Sequence, residues 1–170
     1  MGGVYAIARV DAADSASLAA FVAVHEEAAA WLWARGIEQW RPGECTLATL
    51  RRERAEGPEV YVARRDGAVA GGFTLQWDDP ENWEEQPPVA GYLHALCVRR
   101  ADAGHGLGAM MLDFAGRRVA KMGRPWLRLD CWKGNATLRA YYEGLGFRYQ
   151  GIGDHGWAAL YQRSSMSFQE

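Results

Sequence analysis

The segment that most limits how this chain can fold is Ala90 to Val98 (AGYLHALCV), which runs almost directly into the glycine-rich bend Gly104-His105-Gly106-Leu107-Gly108. The segment is apolar on both faces, and such a strand belongs in the middle of a sheet covered on both sides. Its alternate faces carry Tyr92, His94 and Leu96 against Leu93, Ala95 and Cys97. Beyond the bend, Leu107, Met110, Met111 and Phe114 mark one face of a helix ending near Gly123. The bend is therefore a strand-to-helix turn. The first turn of a helix offers unpaired N–H groups and partial positive charge, and glycines let a ligand approach the backbone, so the turn suits a phosphate or pyrophosphate. Glycines at such a turn also serve tight packing alone, and the bend by itself leaves both readings open.

The rest of the chain supplies the partners of that strand. Val4 to Val10 reads as a strand, Ser17 to Ala34 as a helix stopped at Gly36, and Thr46 to Ala55 as a second helix before Gly57-Pro58. Glu59 to Arg65 and Ala68 to Trp77 flank Asp66-Gly67, a type I′ hairpin signal. Asp78 to Pro88 reads as a polar loop, Trp126 to Cys131 as a strand, and Ala136 to Leu145 as a helix closed by Gly146. Phe147 to Gly153 and Trp157 to Gln162 read as two final strands. No repeat or linker interrupts residues 1–170, so the expectation is a single α/β domain with a mixed, mostly antiparallel central sheet flanked by helices.

Composition narrows the function classes. A chain of 170 residues buries enough surface to hold a core without disulfides or a structural metal. The formal net charge of -2 gives no basic excess for a polyanion, so nucleic acid is not expected as a partner. Cys45, Cys97 and Cys131 are widely spaced with no C-x-x-C, which indicates neither a disulfide framework nor a metal site. No apolar run reaches membrane-span length and the start lacks a signal peptide's pattern, so a reduced, cytoplasmic, membrane-free setting is expected.

Two nucleotide motifs fit the bend poorly. A P-loop would end in Gly-Lys-Ser/Thr, whereas Gly108 is followed by Ala109 and the bend holds no Lys. A dinucleotide fingerprint needs a third glycine where Met111 stands. A later segment, Asn135-Ala-Thr-Leu-Arg-Ala-Tyr-Tyr142-Glu-Gly-Leu-Gly146-Phe147, opens at a strand end and runs through one helix. Together the two segments resemble the GNAT acyltransferases, in which a strand ending in Val feeds an R/Q-x-x-G-x-G/A turn and an N-x-x-(A)-x-x-x-Y-x-x-x-G-F segment completes the acetyl-CoA site. The element order matches across nearly the whole chain. The R/Q position is Ala103 here, so the backbone N–H groups of Gly104, His105, Gly106, Leu107 and Gly108 would carry more of the pyrophosphate binding, with Arg99 and Arg100 as candidate supplements.

The resemblance implies acetyl-CoA as acyl donor, no metal, and direct transfer to a primary amine of a small molecule in a ternary complex. It implies that the pantetheine arm pairs like a strand against Ala95, Leu96, Cys97 and Val98, with the Leu96 N–H facing the thioester oxygen, and that Asn135 belongs to the cofactor site. It also implies that Tyr142 protonates the leaving sulfur; a phenol with a reference pKa near 10 keeps its proton at neutral pH. The string around His94 is similar to a strand of arylalkylamine N-acetyltransferases whose histidines remove protons, and a reference pKa near 6.5 would leave His94 mostly neutral. Tyr92 stands where other members keep a glutamate base. A thiol nucleophile is not expected, since Cys97 should face away from His94. Asp78, Asp79, Glu81, Glu84 and Glu85 crowd one loop beside Trp77 and Trp83, and Trp33 and Trp40 flank the first helix connection. An amine with an apolar or aromatic body would suit these, with Trp33, Trp40, Trp77 and Tyr92 as acceptor contacts. A homodimer through C-terminal edge strands is a further expectation, and a non-catalytic acyl-CoA sensor is the alternative to an enzyme.

Overall fold

Asp66 and Gly67 both adopt positive φ, 52° and 80°, as a two-residue turn matched to strand twist requires. They join β2 (Glu59–Arg65) to β3 (Ala68–Gln76). A computed structural model describes residues 4–55 and 57–168. The remaining strands are β1 (Ala6–Arg9), β4 (Ala90–Val98), β5 (Trp126–Trp132), β6 (Arg148–Ile152) and β7 (Ala158–Ser164), and the sheet runs β1-β2-β3-β4-β5-β7-β6. Every neighbouring pair is antiparallel except β4 and β5. The helices are α1 (Ser15–Trp33), α2 (Leu47–Ala55), α3 (Pro80–Trp83), α4 (Leu107–Lys121) and α5 (Ala136–Gly144). None of the helices among the described residues is long and apolar enough to cross a membrane.

Alternation along β2 explains the two layers. Val60 and Val62 pack with Leu18, Phe21 and Val24 of α1, whereas Tyr61 and Ala63 pack with Met111, Leu112 and Ala115 of α4. Each helix thus covers one face of the sheet, and β4 lies between them as its two apolar faces demand.

Two departures from the expected pattern occur, and both shape the site. Asp78 to Pro88 is not wholly loop: Pro80 opens α3 with its φ already set for a helix. The Asn82 amide donates to both oxygens of the Asp79 carboxylate, at 3.2 and 3.1 Å. The second departure is a β-bulge in β4. Cys97 pairs with Gly72 and His94 with Thr74, so three steps on β4 oppose two on β3, and Ala95 takes a φ of 54° to absorb the extra residue. The simple alternation therefore fails beyond His94. Ala95 and Cys97 pack on the α1 side, while Leu93, Leu96 and Val98 pack on the α4 side. The expectation that Cys97 opposes His94, and that Leu96 shares the face of His94, is corrected by that one inserted residue.

Candidate active site

The parallel pairing of β4 with β5 runs only from Ala90↔Trp126 to Leu93↔Leu129. Beyond it the strands part, although β4 continues to Val98 and β5 to Trp132. The split exposes the β5-facing backbone edge of β4 at the bulge. Its far end is fixed by Gln39, whose Oε1 accepts from the Trp132 N–H at 3.0 Å and from the Asn135 amide at 3.2 Å. Asn135 is buried and also caps α5, accepting from the Leu138 N–H at 3.2 Å. Its side chain thus joins α5 to Gln39 of the connection after α1, and Gln39 in turn holds the Trp132 N–H at the end of β5.

On the α4 side of the split lies a groove of about 460 Å³ that includes Leu96, Val98, Gly104, Gly106, Gly108 and Tyr142. Gly104 and Gly106 take φ of 81° and 79°, the left-handed region that favours glycine. Gly106 is the N-cap of α4, and no side chain caps that helix, so its first amides keep their donors for a ligand. Gly108 has a packing reason as well: a Cβ there would come within 2.8 Å of the Tyr141 hydroxyl. His105 is exposed in the bend. Among the described residues, the groove is lined by no Lys or Arg. Arg99 instead donates to Asp102 at 2.6 Å, and Arg100 lies over the Trp31 ring at 3.8 Å. Asp102, fully buried, also takes Arg65 at 2.8 Å and Tyr5 at 3.0 Å, which anchors the corner. Tyr142 is buried against Phe147 and Tyr161. Burial pushes its phenol well above the ordinary value, with Cys131, Asp130 and Tyr141 adding to the shift.

On the α1 side lies a cavity of about 540 Å³. His94 and Ala95 line it, with Phe21 and Leu50 as apolar wall and Glu53, Asp78, Asp79 and Glu81 as carboxylates. Among the described residues, its lining holds no Lys or Arg. His94 Nε2 lies 3.2 Å from Asp79 Oδ2, and its Nδ1 lies 3.3 Å from Asp130 Oδ1. These are charge pairs by distance; His94 Nε2 and Asp130 Oδ1 are buried without an aligned hydrogen-bond partner. Burial alone would lower the imidazole pKa, but Asp130 and Asp79 outweigh it and hold it up, to about 10. The ordinary value near 6.5 therefore does not apply, and the two carboxylates favour the imidazolium form of His94. Sequence spacing does not reveal Asp79 and Asp130 as its partners, because they come from the turn after β3 and from β5.

The aromatic residues expected around the acceptor are not gathered at this cavity. Trp33 is exposed beneath Arg41, and Trp40 stacks on His25 at 4.1 Å. Trp77 packs on the α4 side under Arg118 and Arg124. Tyr92 is buried against Trp83 and takes a hydrogen bond from Arg128 at 3.1 Å. Burial raises all three thiols, Cys45 to about 11 and Cys131 to about 12, so none is a ready nucleophile.

The bulge therefore gives consecutive residues of one strand to two cavities. His94 and Ala95 face an acidic one, and Leu96 and Val98 face one that ends at uncapped helix amides. Comparison with known proteins matches this frame. The model of the Acetyltransferase (GNAT) family matches residues 20–147. The uncharacterized N-acetyltransferase YesJ of Bacillus subtilis (strain 168) is 28% identical over 137 residues, 76% of this chain and 75% of that protein. A GNAT-family acetyltransferase from Listeria monocytogenes 4b F2365 superposes with a TM-score of 0.77 at 26% identity, over 96% of this chain and 98% of its own. The PaiA N-acetyltransferase of Thermoplasma acidophilum, solved in complex with coenzyme A, superposes with a TM-score of 0.74 over 95% of this chain and 99% of its own. At 18% identity that last likeness is one of fold. With the family model spanning the strand, the glycine corner and the Asn135 to Phe147 segment, the chain belongs to the GNAT acetyltransferase family and is an N-acetyltransferase.

Proposed function

We propose that the protein transfers the acetyl group of acetyl-CoA to a primary amine of a small cationic molecule, by direct attack within a ternary complex. The observation that carries this reading is the division of β4 at Ala95, which sets a groove suited to coenzyme A and an acidic cavity back to back at one split. The coenzyme A held by the Thermoplasma relative supports the donor. The diphosphate would meet the amides of Gly104 to Gly108, and the pantetheine arm would pair along Leu96 to Val98 as an added strand. The amine would enter past Glu53, Asp78 and Glu81.

Attack by the amine on the thioester carbonyl leaves a positively charged nitrogen whose N–H is acidic, so a carboxylate suffices to take its proton. In this reading the Asp79–His94–Asp130 cluster is the proton acceptor as a unit, in place of a free imidazole. Tyr142, kept protonated by burial, gives its proton to the departing thiolate.

Release of free thiol from acetyl-CoA, followed with a panel of mono- and dicationic amines, tests the reading. Amine-dependent release is expected. A protein that binds coenzyme A tightly yet releases no thiol with any amine would be a sensor of acyl-CoA instead.

A further inference from the structure

His25 is an oddity of the α1 layer. It is buried at 6% exposure, its ring stacks on Trp40, and its Nδ1 has no hydrogen-bond partner. A neutral imidazole nitrogen without a hydrogen-bond partner is the form that ligates metals. Beside it, the two Glu26 oxygens accept from the backbone N–H groups of Gly43, at 2.6 Å, and Cys45, at 3.2 Å. Those bonds fix the carboxylate and the connection that carries Cys45. A ring nitrogen of His25, a carboxylate oxygen of Glu26 and the Cys45 thiol all lie within 4.8 Å of one another. Cys45 in turn lines the acidic cavity.

We propose that His25, Glu26 and Cys45 form a three-ligand site for a borderline-soft divalent cation, with Zn²⁺ the best match to its nitrogen, oxygen and sulfur donors. Imidazole, carboxylate and thiolate are the donors zinc takes, and three protein ligands leave a fourth position open. Binding forms the metal–sulfur bond as the Cys45 S–H gives its proton to solvent, one proton for each ion bound. The donor set escapes sequence spacing because His25 and Glu26 are neighbours on α1 while Cys45 arrives from the connection before α2.

The second donor triplet, Asp79, His94 and Asp130, is the competing location. There the two carboxylates flank opposite ring nitrogens of His94 as charge pairs, so an ion would have to displace at least one of those pairs.

The test is metal binding by the intact, chelator-treated protein, read without turnover and so independent of acetyl transfer. Zn²⁺ affinity is measured by competition with a chromophoric chelator, and Co²⁺ serves as the spectroscopic probe. One equivalent should bind, with a thiolate-to-cobalt charge-transfer band. The band should vanish in Cys45→Ser, and Zn²⁺ affinity should fall at least tenfold in both Cys45→Ser and His25→Gln, with circular dichroism confirming the fold. Cys45 is only half-buried, so its variant keeps the test decisive if His25→Gln does not fold. Absence of stoichiometric binding, a cobalt spectrum without the thiolate band, or affinity unchanged in Cys45→Ser but lost in Asp79→Asn would each overturn the proposal.

Discussion

Tyr142 and His94 sit on opposite sides of one strand, and their chemistry differs because their surroundings do. Tyr142 meets burial with no charge relief, so its phenol holds its proton at neutral pH. Tyr142→Phe should lower the turnover of acetyl transfer roughly 10²-fold or more while leaving coenzyme A affinity nearly unchanged. Thiol-release kinetics and isothermal titration separate the two effects. His94 meets burial together with two carboxylates, and the carboxylates win. Its ring should therefore stay protonated through neutral pH in an NMR titration, and Asp130→Asn should bring the midpoint down. The same pairing fixes a stability window. Since the folded-state pKa is raised, the contribution of His94 is full below about pH 6.5 and is lost as pH climbs toward about 10. The melting temperature of His94→Gln should thus lie furthest below that of the parent protein near pH 6 and converge with it toward pH 10.

At the level of elements, β4 and α5 show how much the chain spells out and how much it hides. Strand β4, the glycine corner and α4 are legible because an apolar nine-residue run, positive-φ glycines and a helical stripe are all local signals. The bulge is not local. It exists because β4 must pair with β3 on one side yet part from β5 on the other, and Ala95 carries no residue-type mark of its left-handed φ. Ala95→Val should destabilise the fold by about 2 kcal/mol, since a β-branched residue resists that conformation; denaturant unfolding reads it directly. Asn135 is legible as a motif position, but its bond to Gln39 is not, because the two lie far apart in sequence and meet only through packing. Asn135→Ala should cost about 1–2 kcal/mol through the lost cap of α5. Asn135→Asp, which keeps an acceptor for the Leu138 N–H, should recover part of that loss.

Across the whole molecule, a single sheet covered by α1 on one face and α4 on the other is split where its one parallel pair ends. The split lies beside the bulge that gives His94 and Ala95 to one cavity and Leu96 and Val98 to the other. Of the aromatic residues expected around the acceptor, Trp77 and Tyr92 meet in a smaller cavity of about 210 Å³ with Asp78, Asp79, Glu84 and Glu85, beneath arginines that also pack on their rings, whereas Trp33 and Trp40 lie apart from it. The central claim is therefore that the donor threads the split, with its diphosphate at the corner and its sulfur at Tyr142. A crystal structure of the protein with acetyl-CoA tests this most directly. The account predicts phosphate oxygens on the amides of residues 104–108, pantetheine paired along Leu96 to Val98, and the thioester sulfur within hydrogen-bonding reach of the Tyr142 hydroxyl. A cofactor bound elsewhere, or a split closed by its own side chains with the corner vacant, would contradict it.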